Sequence, residues 1–188
     1  MALAIAGGLR WEFAGRPVVF SSKCVGVNDG DTIRVIFAGR EERVRLYGID
    51  CPEKGQPYSS KAKQFTSSLV FGRTVNVRVV ERDRYGRAVA WVTTEDGKNV
   101  NAMLVEAGLA WWYRKYAPNN ALLSKAEKDA RNAKRGVWQE TNPTPPWDYR
   151  LQRSGFGNGA GYWSGMIKTS SPSIASTEPP LRRTFSLA

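Results

Sequence analysis

Five short segments rich in β-branched residues recur between residues 18 and 94, and turns or a helical pattern separate them. They read VVFSSKCVGV, TIRVIF, ERVRLYGI, TVNVRVV and AVAWVT. The first two flank NDGD, and Asp-Gly between β-rich runs is a strong signal for a hairpin. Closure into a barrel removes the unpaired edges that hairpin strands would otherwise leave. The pattern predicts a small closed or partly open antiparallel barrel, with an open sheet carrying helices on one face as the alternative.

Three further segments have helical periodicity. Apolar residues recur at three- and four-residue steps along SSKAKQFTSSLV, and Gly72 offers a stop. A second helix fits VNAMLVEA before Gly108, and a third fits residues 120–135 before Gly136. We therefore predict an α+β fold, an OB-fold five-stranded antiparallel β-barrel with about three packed α-helices.

The composition divides the chain into three parts. Residues 1–17 precede the first strand pattern as an N-terminal extension, and their apolar opening MALAIAGGL is short and lacks the basic start of a signal peptide. Residues 18–140 carry the strand and helix patterns and form the predicted domain. Residues 141–188 are rich in Pro, Gly and Ser without core-forming periodicity, so we predict a linker or tail that is largely disordered. No apolar run reaches the length of a membrane span.

The charge and the missing residue types narrow the possible functions. The chain has 28 Lys and Arg residues against 17 Asp and Glu residues, a net charge of +11. Such a balance favours a polyanionic partner, nucleic acid first and an anionic membrane surface second. Histidine is absent, which excludes Ser-His-Asp and Cys-His nucleophile systems. Two cysteines, Cys24 and Cys51, cannot complete a structural zinc site, and they form either one bridge or two free thiols.

Four carboxylates are expected at one rim of the barrel. Asp29 and Asp31 lie in the first turn, and Asp50 and Glu53 follow the third strand. In an antiparallel meander the first turn and the end of the third strand can lie close together. Clustered carboxylates repel one another unless a cation holds them, and an all-oxygen ligand set selects Ca²⁺ or Mg²⁺. The alternative is that DGD is an ordinary turn.

Two arginines could bind phosphate near these acids. Arg45 lies on the third strand, and Arg87 ends the turn-like DRYGR before the fifth strand. Guanidinium groups stay charged and bind phosphate oxygens bidentately. Beside a carboxylate-bound cation they would stabilise the transition state of phosphate displacement. Each could equally be a solvated or ion-paired surface residue.

Aromatic residues near the basic residues offer stacking faces for single-stranded nucleic acid. They are Tyr85, Trp111, Trp112, Tyr113 and Tyr116, four of them in WWYRKY. Core packing is the alternative role for each ring.

Together the motifs resemble a known family. DGDT, RLYGIDCPE, DRYGR and APNN occur in the order and approximate spacing of the staphylococcal nuclease (thermonuclease) family, from about residue 20 to 140. The resemblance implies an OB-fold domain with Ca²⁺-dependent endonuclease activity that hydrolyses phosphodiester bonds of DNA and RNA and leaves 3′-phosphate ends. The loop after Glu53, KGQPYSSKA, is shorter than in the best-known members.

The same resemblance implies a role for each candidate residue. Asp31, Asp50 and the backbone carbonyl of Cys51 would bind one Ca²⁺ ion, with Asp29 as a supporting acid. The remaining matches are the general base Glu53, the phosphate-binding Arg45 and Arg87, and the substrate-binding Tyr85, Tyr113 and Tyr116.

The resemblance also implies partners and leaves rivals open. DNA and RNA would be the substrates, with single-stranded or unpaired regions preferred, and the protein would be a monomer. Relatives are often exported, which favours an extracellular or cell-envelope location. The rival from another class is a non-catalytic OB-fold module that binds nucleic acid or protein, and a basic membrane-surface protein is a third. The presence of the full acid and arginine set favours the enzyme.

Overall fold

The structure is a computed structural model that describes residues 18–156 of the chain. The predictions for residues 1–17 and for residues 157–188 lie outside the described residues. The strands are β1 Val19–Val27, β2 Thr32–Phe37, β3 Arg40–Leu46, β4 Ile49–Asp50, β5 Thr74–Arg82, β6 Ala88–Thr94 and β7 Trp111–Trp112. The helices are α1 Ser59–Val70, α2 Val100–Glu106, α3 Ala121–Asn132 and α4 Pro146–Phe156, with a 3₁₀ turn at Gly136–Gln139.

Five strands close into a barrel in the order β1-β2-β3-β6-β5, which confirms the predicted fold. A ring with an odd number of strands cannot be antiparallel throughout, so one neighbouring pair must be parallel. That pair is β3 and β6, in which Val44 lies opposite Ala88 and Arg45 opposite Val89. The other four pairs are antiparallel, as expected.

Alternating strand residues and the inner faces of the helices fill the core. On β5, Val75, Val77 and Val79 are all buried, as a strand with one face in the core requires. The helices α2 and α3 each begin with an asparagine cap, because Asn99 and Asn120 accept hydrogen bonds from backbone N–H groups three residues ahead. No helix in the described range 18–156 has the length and apolar character needed to span a membrane.

The helix α4 differs from the sequence prediction, because it lies within the segment assigned to a linker or tail. Pro146 begins it, where a missing N–H costs nothing, and Asp148 lies in its first turn. The carbonyl of Pro145 accepts hydrogen bonds from the N–H groups of Asp148 and Tyr149. The helix lacks a continuous apolar stripe. Instead, individual side chains on one face, Trp147 and Arg150, hold it against the barrel. Periodicity therefore could not reveal it.

Candidate active site

The Asp-Gly-Asp turn between β1 and β2 is packed tightly against the segment that follows β4. The N–H of Asp31 donates to Oδ1 of Asp29 at 3.2 Å, and the hydroxyl of Thr66 on α1 donates to the carbonyl of Gly30 at 2.6 Å. A Cβ atom on Gly30 would lie 2.8 Å from Cβ of Cys51, so only glycine fits there. The structure thus brings the first turn and the end of the third-strand region together, as the sequence predicts.

A two-stranded sheet fixes the position of Asp50. The short strands β4 and β7 pair so that Ile49 lies opposite Trp112 and Asp50 opposite Trp111. Both tryptophans are buried, and Nε1 of Trp112 donates to the carbonyl of Ala117 at 2.9 Å. Of the two roles left open for these rings, the structure therefore assigns packing, and the packing holds the Asp50 carboxylate within the protein.

A buried ion network joins the acids to Arg45. Its Nη1 lies 2.9 Å from Oδ1 of Asp31, and its Nη2 lies 2.6 Å from Oδ1 of Asp50. The other oxygen of Asp31 accepts the N–H of Cys51 at 2.9 Å. The Asp31 and Asp50 side chains are only 5% and 1% exposed, so the guanidinium compensates charges that water cannot reach.

Burial and the neighbouring charges shift the pKa values of the groups in this cluster. Burial works to lower the pKa of Arg45, but the charges of Asp31 and Asp50 outweigh it and raise that pKa. Burial raises the pKa of Asp50, a hydrogen bond from Arg150 opposes this, and repulsion by Asp31 adds to it. Desolvation and the Asp31 charge raise the pKa of Asp29 to about 6, although part of that residue faces solvent. The cluster therefore favours positive charge beside it.

A cleft of about 680 Å³ lies in front of this network. All the residues predicted to catalyse the reaction or to bind substrate line it: Arg45, Glu53, Tyr85, Arg87, Tyr113 and Tyr116. The cleft also contains residues that the sequence analysis did not single out, among them Asp83, Arg84, Lys115 and Arg150. The cleft wall is therefore strongly charged, with cations facing it from several elements.

Asp83 holds Arg87 in the cleft wall. Its Oδ2 lies 2.6 Å from Nε of Arg87, and its Oδ1 accepts the N–H groups of Tyr85 and Arg87, each at 2.9 Å. Burial acts to raise the pKa of Asp83, but the Arg87 contacts outweigh it and lower that pKa. Asp83 is not among the residues predicted from the sequence, although an aspartate that opens a turn such as DRYGR is a recognisable signal.

The three tyrosines differ in how far they present their rings. Tyr85 and Tyr116 are 63% and 54% exposed, whereas Tyr113 is half-buried. The guanidinium groups of Arg84 and Arg87 lie 4.8 Å and 5.5 Å from the ring centre of Tyr85. Tyr85 and Tyr116 thus offer the exposed aromatic surface of the cleft.

The ring of Tyr113 is enclosed by aromatic neighbours. It stacks on Trp147 of α4 with centroids 4.8 Å apart and planes 13° apart, and Tyr116 meets it edge-on at 4.9 Å. Trp147 therefore covers the face of the Tyr113 ring that points toward α4, and that face is not open to a nucleic-acid base.

Arg150 of α4 binds two of the predicted site acids at once. Its Nη1 lies 2.5 Å from Oε1 of Glu53, and its Nη2 lies 2.7 Å from Oδ2 of Asp50. Asp50 and Glu53 raise the pKa of this guanidinium despite its partial burial. Arg150 is not among the residues predicted from the sequence, because it lies in the segment assigned to a tail. The available signal is WDYR, which places Trp147 and Arg150 three residues apart and so on one face of a helix.

The donor atoms suit a hard divalent cation, but guanidinium groups hold them in this structure. Asp31 and Asp50, which the guanidinium groups bind, offer carboxylate oxygens beside the backbone of Cys51, and such ligands fit Ca²⁺. Within residues 18–156, however, no group of three or more carboxylate or cysteine side chains is arranged to hold a metal ion. Both cysteines are buried free thiols, and burial raises the pKa of each, so neither offers a thiolate for a softer metal.

Comparison with known proteins agrees with this architecture. The model of the family described as "Staphylococcal nuclease homologue" matches residues 43–140, more than half of the chain. The chain belongs to the staphylococcal nuclease family. It is 44% identical over 131 residues to a protein of Escherichia coli O157:H7 named "Uncharacterized endonuclease", covering 70% of this chain and 85% of that protein. It is 39% identical over 140 residues to the "Micrococcal nuclease" of Shigella flexneri, covering 70% and 80% respectively.

A plant relative matches this chain over about a third of its own length. The "Staphylococcal-like nuclease CAN1" of Arabidopsis thaliana is 39% identical over 113 residues, which is 60% of this chain and 34% of that protein. The matched family region contains Arg45, Asp50, Glu53 and Arg87, whereas α4 lies beyond its end.

Proposed function

We propose that this chain is a nuclease, and more narrowly a Ca²⁺-dependent endonuclease that hydrolyses phosphodiester bonds of DNA and RNA and leaves 3′-phosphate ends. Family membership and the names of its relatives support nuclease activity. The observation that carries the narrower proposal is the cleft in which Arg45, Glu53 and Arg87 meet in front of buried Asp31 and Asp50.

Each of these residues has a part that its chemistry suits. Arg45 and Arg87 would bind the non-bridging oxygens of the phosphate and stabilise the charge that develops there. Glu53 would orient the attacking water and accept its proton. Asp31, Asp50 and the carbonyl of Cys51 would hold Ca²⁺, with Asp29 in support, and bound Ca²⁺ would supply positive charge that polarises the phosphodiester.

The exposed rings of Tyr85 and Tyr116 support a preference for single-stranded or unpaired regions. Bases in such regions can leave the helix and stack on aromatic side chains, which paired bases cannot do. We propose that the protein acts on these regions as a monomer.

A chelator-controlled assay tests the proposal. Supercoiled plasmid and a labelled RNA are incubated with the purified protein in CaCl₂ and in EGTA, and the new ends are tested for a 3′-phosphate by phosphatase-dependent extension. Cleavage in CaCl₂ that stops in EGTA is the expected result. Binding of both nucleic acids without cleavage would instead identify a non-catalytic OB-fold module.

Two substitutions test the residue assignments. Glu53→Gln and Arg87→Ala should each lower kcat by about 10²-fold or more, since general-base help and a charged phosphate contact are worth that much. Arg78→Ala is the matched control, because Arg78 is an exposed arginine on β5 that does not line the cleft. Near-normal cleavage by either site variant would remove that residue from the mechanism.

A further inference from the structure

One feature of the cleft has no part in the proposed chemistry: a basic residue of α4 is bound to the carboxylates that the chemistry needs. Arg150 contacts both oxygens of Asp50, at 3.3 Å from Nη1 to Oδ1 and 2.7 Å from Nη2 to Oδ2, and it also binds Glu53. A bidentate guanidinium satisfies the same lone pairs that a cation would use. While this contact lasts, one guanidinium from outside the barrel occupies oxygens of both Asp50 and Glu53.

The same face of α4 covers the neighbouring aromatic surface. Trp147, one helical turn before Arg150, stacks on Tyr113 and also packs against the cluster of Trp111 and Trp138. A stacked pair of aromatic rings stabilises a contact beyond the apolar area that it buries. It gives α4 an apolar anchor beside the cleft and sets Arg150 over the acids.

The remaining contacts of α4 are few and close to the surface. Nη1 of Arg153 donates to the carbonyl of Lys54 at 3.4 Å, and the Tyr149 hydroxyl lies against Gly55. The Arg150 side chain is 41% exposed, in contrast to the nearly inaccessible Asp50 that it binds. An exposed arginine can leave its partner at low cost, because water solvates the freed guanidinium.

We propose that α4 is an autoinhibitory latch, in which Arg150 occupies Asp50 and Glu53 until a divalent cation displaces it and Trp147 holds the helix in place. Arg45 already binds Oδ1 of Asp50 and Arg150 binds Oδ2, so a divalent cation that needs an oxygen of Asp50 competes with Arg150 for it. The latch keeps the buried acids neutralised when the cation is scarce. The metal part of this inference rests on the proposed function, whereas the docking of Arg150 and Trp147 does not.

Calcium binding measured without nucleic acid tests the latch. CaCl₂ is titrated calorimetrically into the full chain and into Arg150→Ala, with Arg153→Ala as the control that removes the same charge from the same helix. We expect Arg150→Ala to bind Ca²⁺ at least about fivefold more tightly than the wild type, and Arg153→Ala to change affinity by less than twofold. Equal or weaker binding by Arg150→Ala, or no binding by it, overturns the latch.

A neutral substitution separates release of the latch from a simple loss of charge. Trp147→Ala leaves the charge unchanged but removes the anchor, so it should also raise Ca²⁺ affinity, by about two- to threefold. Circular dichroism establishes that the variant is folded. An unchanged affinity in the folded variant overturns the role of Trp147 as the anchor.

Hydrogen exchange reports on α4 directly. In the wild type, saturating CaCl₂ should increase exchange of the backbone amides of residues 148–156, and in Arg150→Ala exchange should be fast with or without CaCl₂. Slower exchange of α4 in CaCl₂ would overturn displacement. These readouts need no cleavage: an inactive protein with the expected affinities would disprove the nuclease and keep the latch, and an active one with equal affinities would do the reverse.

Discussion

The two sides of the cleft are built in different ways. On the barrel side, Asp31, Asp50 and Arg45 are fixed by strand pairing and by contacts within the core. On the other side, Arg150 reaches the cleft from a helix held mainly by side chains, with Trp147 stacked on Tyr113. We infer from this difference that Asp31, Asp50 and Arg45 contribute to the stability of the barrel. Arg150, in contrast, can be replaced without loss of the barrel.

The largest loss of stability is expected when Arg45, on the barrel side of the cleft, is replaced. Arg45→Ala leaves Asp31 without its guanidinium and Asp50 with Arg150 alone, so the free energy of unfolding should fall by about 3 kcal/mol. Urea denaturation at pH 7 followed by circular dichroism measures this loss. A loss below about 1 kcal/mol would mean that the buried network is not part of what stabilises the barrel.

An intermediate effect is expected at Asp83, which supports the cleft from its rim. Asp83→Asn removes a charge-assisted contact to Arg87, and the free energy of unfolding at pH 7 should fall by about 1 kcal/mol. Because the pKa of Asp83 is lower in the folded protein than its ordinary value, the carboxylate stabilises the fold above that ordinary value. Its contribution disappears as the pH falls through the folded pKa.

The stability difference between wild type and Asp83→Asn should therefore be full at pH 7 and shrink below about pH 4, since that is where an aspartate ordinarily titrates. Thermal unfolding at several pH values follows the difference. A difference that does not change with pH would assign the loss to the turn geometry instead of the charge.

The smallest loss of stability is expected when Arg150, on the α4 side of the cleft, is replaced. Arg150→Ala should lower the free energy of unfolding by less than about 1 kcal/mol in EGTA, because the guanidinium is partly solvated and Arg45 still neutralises Asp50. Urea denaturation beside Arg45→Ala gives a direct ranking. Equal losses in the two variants would show that both sides of the cleft belong to the fold.

Sequence patterns could predict the barrel because the information is local. The alternation in β5 and the turn at Asp29–Asp31 involve neighbours in the chain, and both lie where the patterns place them. The convergence of Arg45, Glu53 and Arg87 on one cleft followed from that topology and from the family motifs. Their chemical roles remain proposals.

The parts that the sequence could not predict depend on distant partners. Strands β4 and β7 have two residues each, too few for any period, and they form because Trp111 is packed beside Asp50. Arg150 lies 97 residues from Glu53, and no local rule connects the two. A segment rich in proline is interpreted as a tail until Trp147 and Arg150 are seen to contact the barrel.

The parallel pairing of β3 with β6 bears on when a newly made chain becomes able to act. The hairpins from β1 to β3 are local, so we expect them to bring Asp31 beside Arg45 early, whereas α1 and β5 lie between β3 and β6 in the chain. Contacts between distant segments form late, because loop closure precedes them. Arg87 immediately precedes β6, so it reaches Arg45 only when the ring closes. A nascent chain on the ribosome, surrounded by RNA, would thus lack the complete pair of arginines proposed to bind phosphate until its synthesis has passed the barrel.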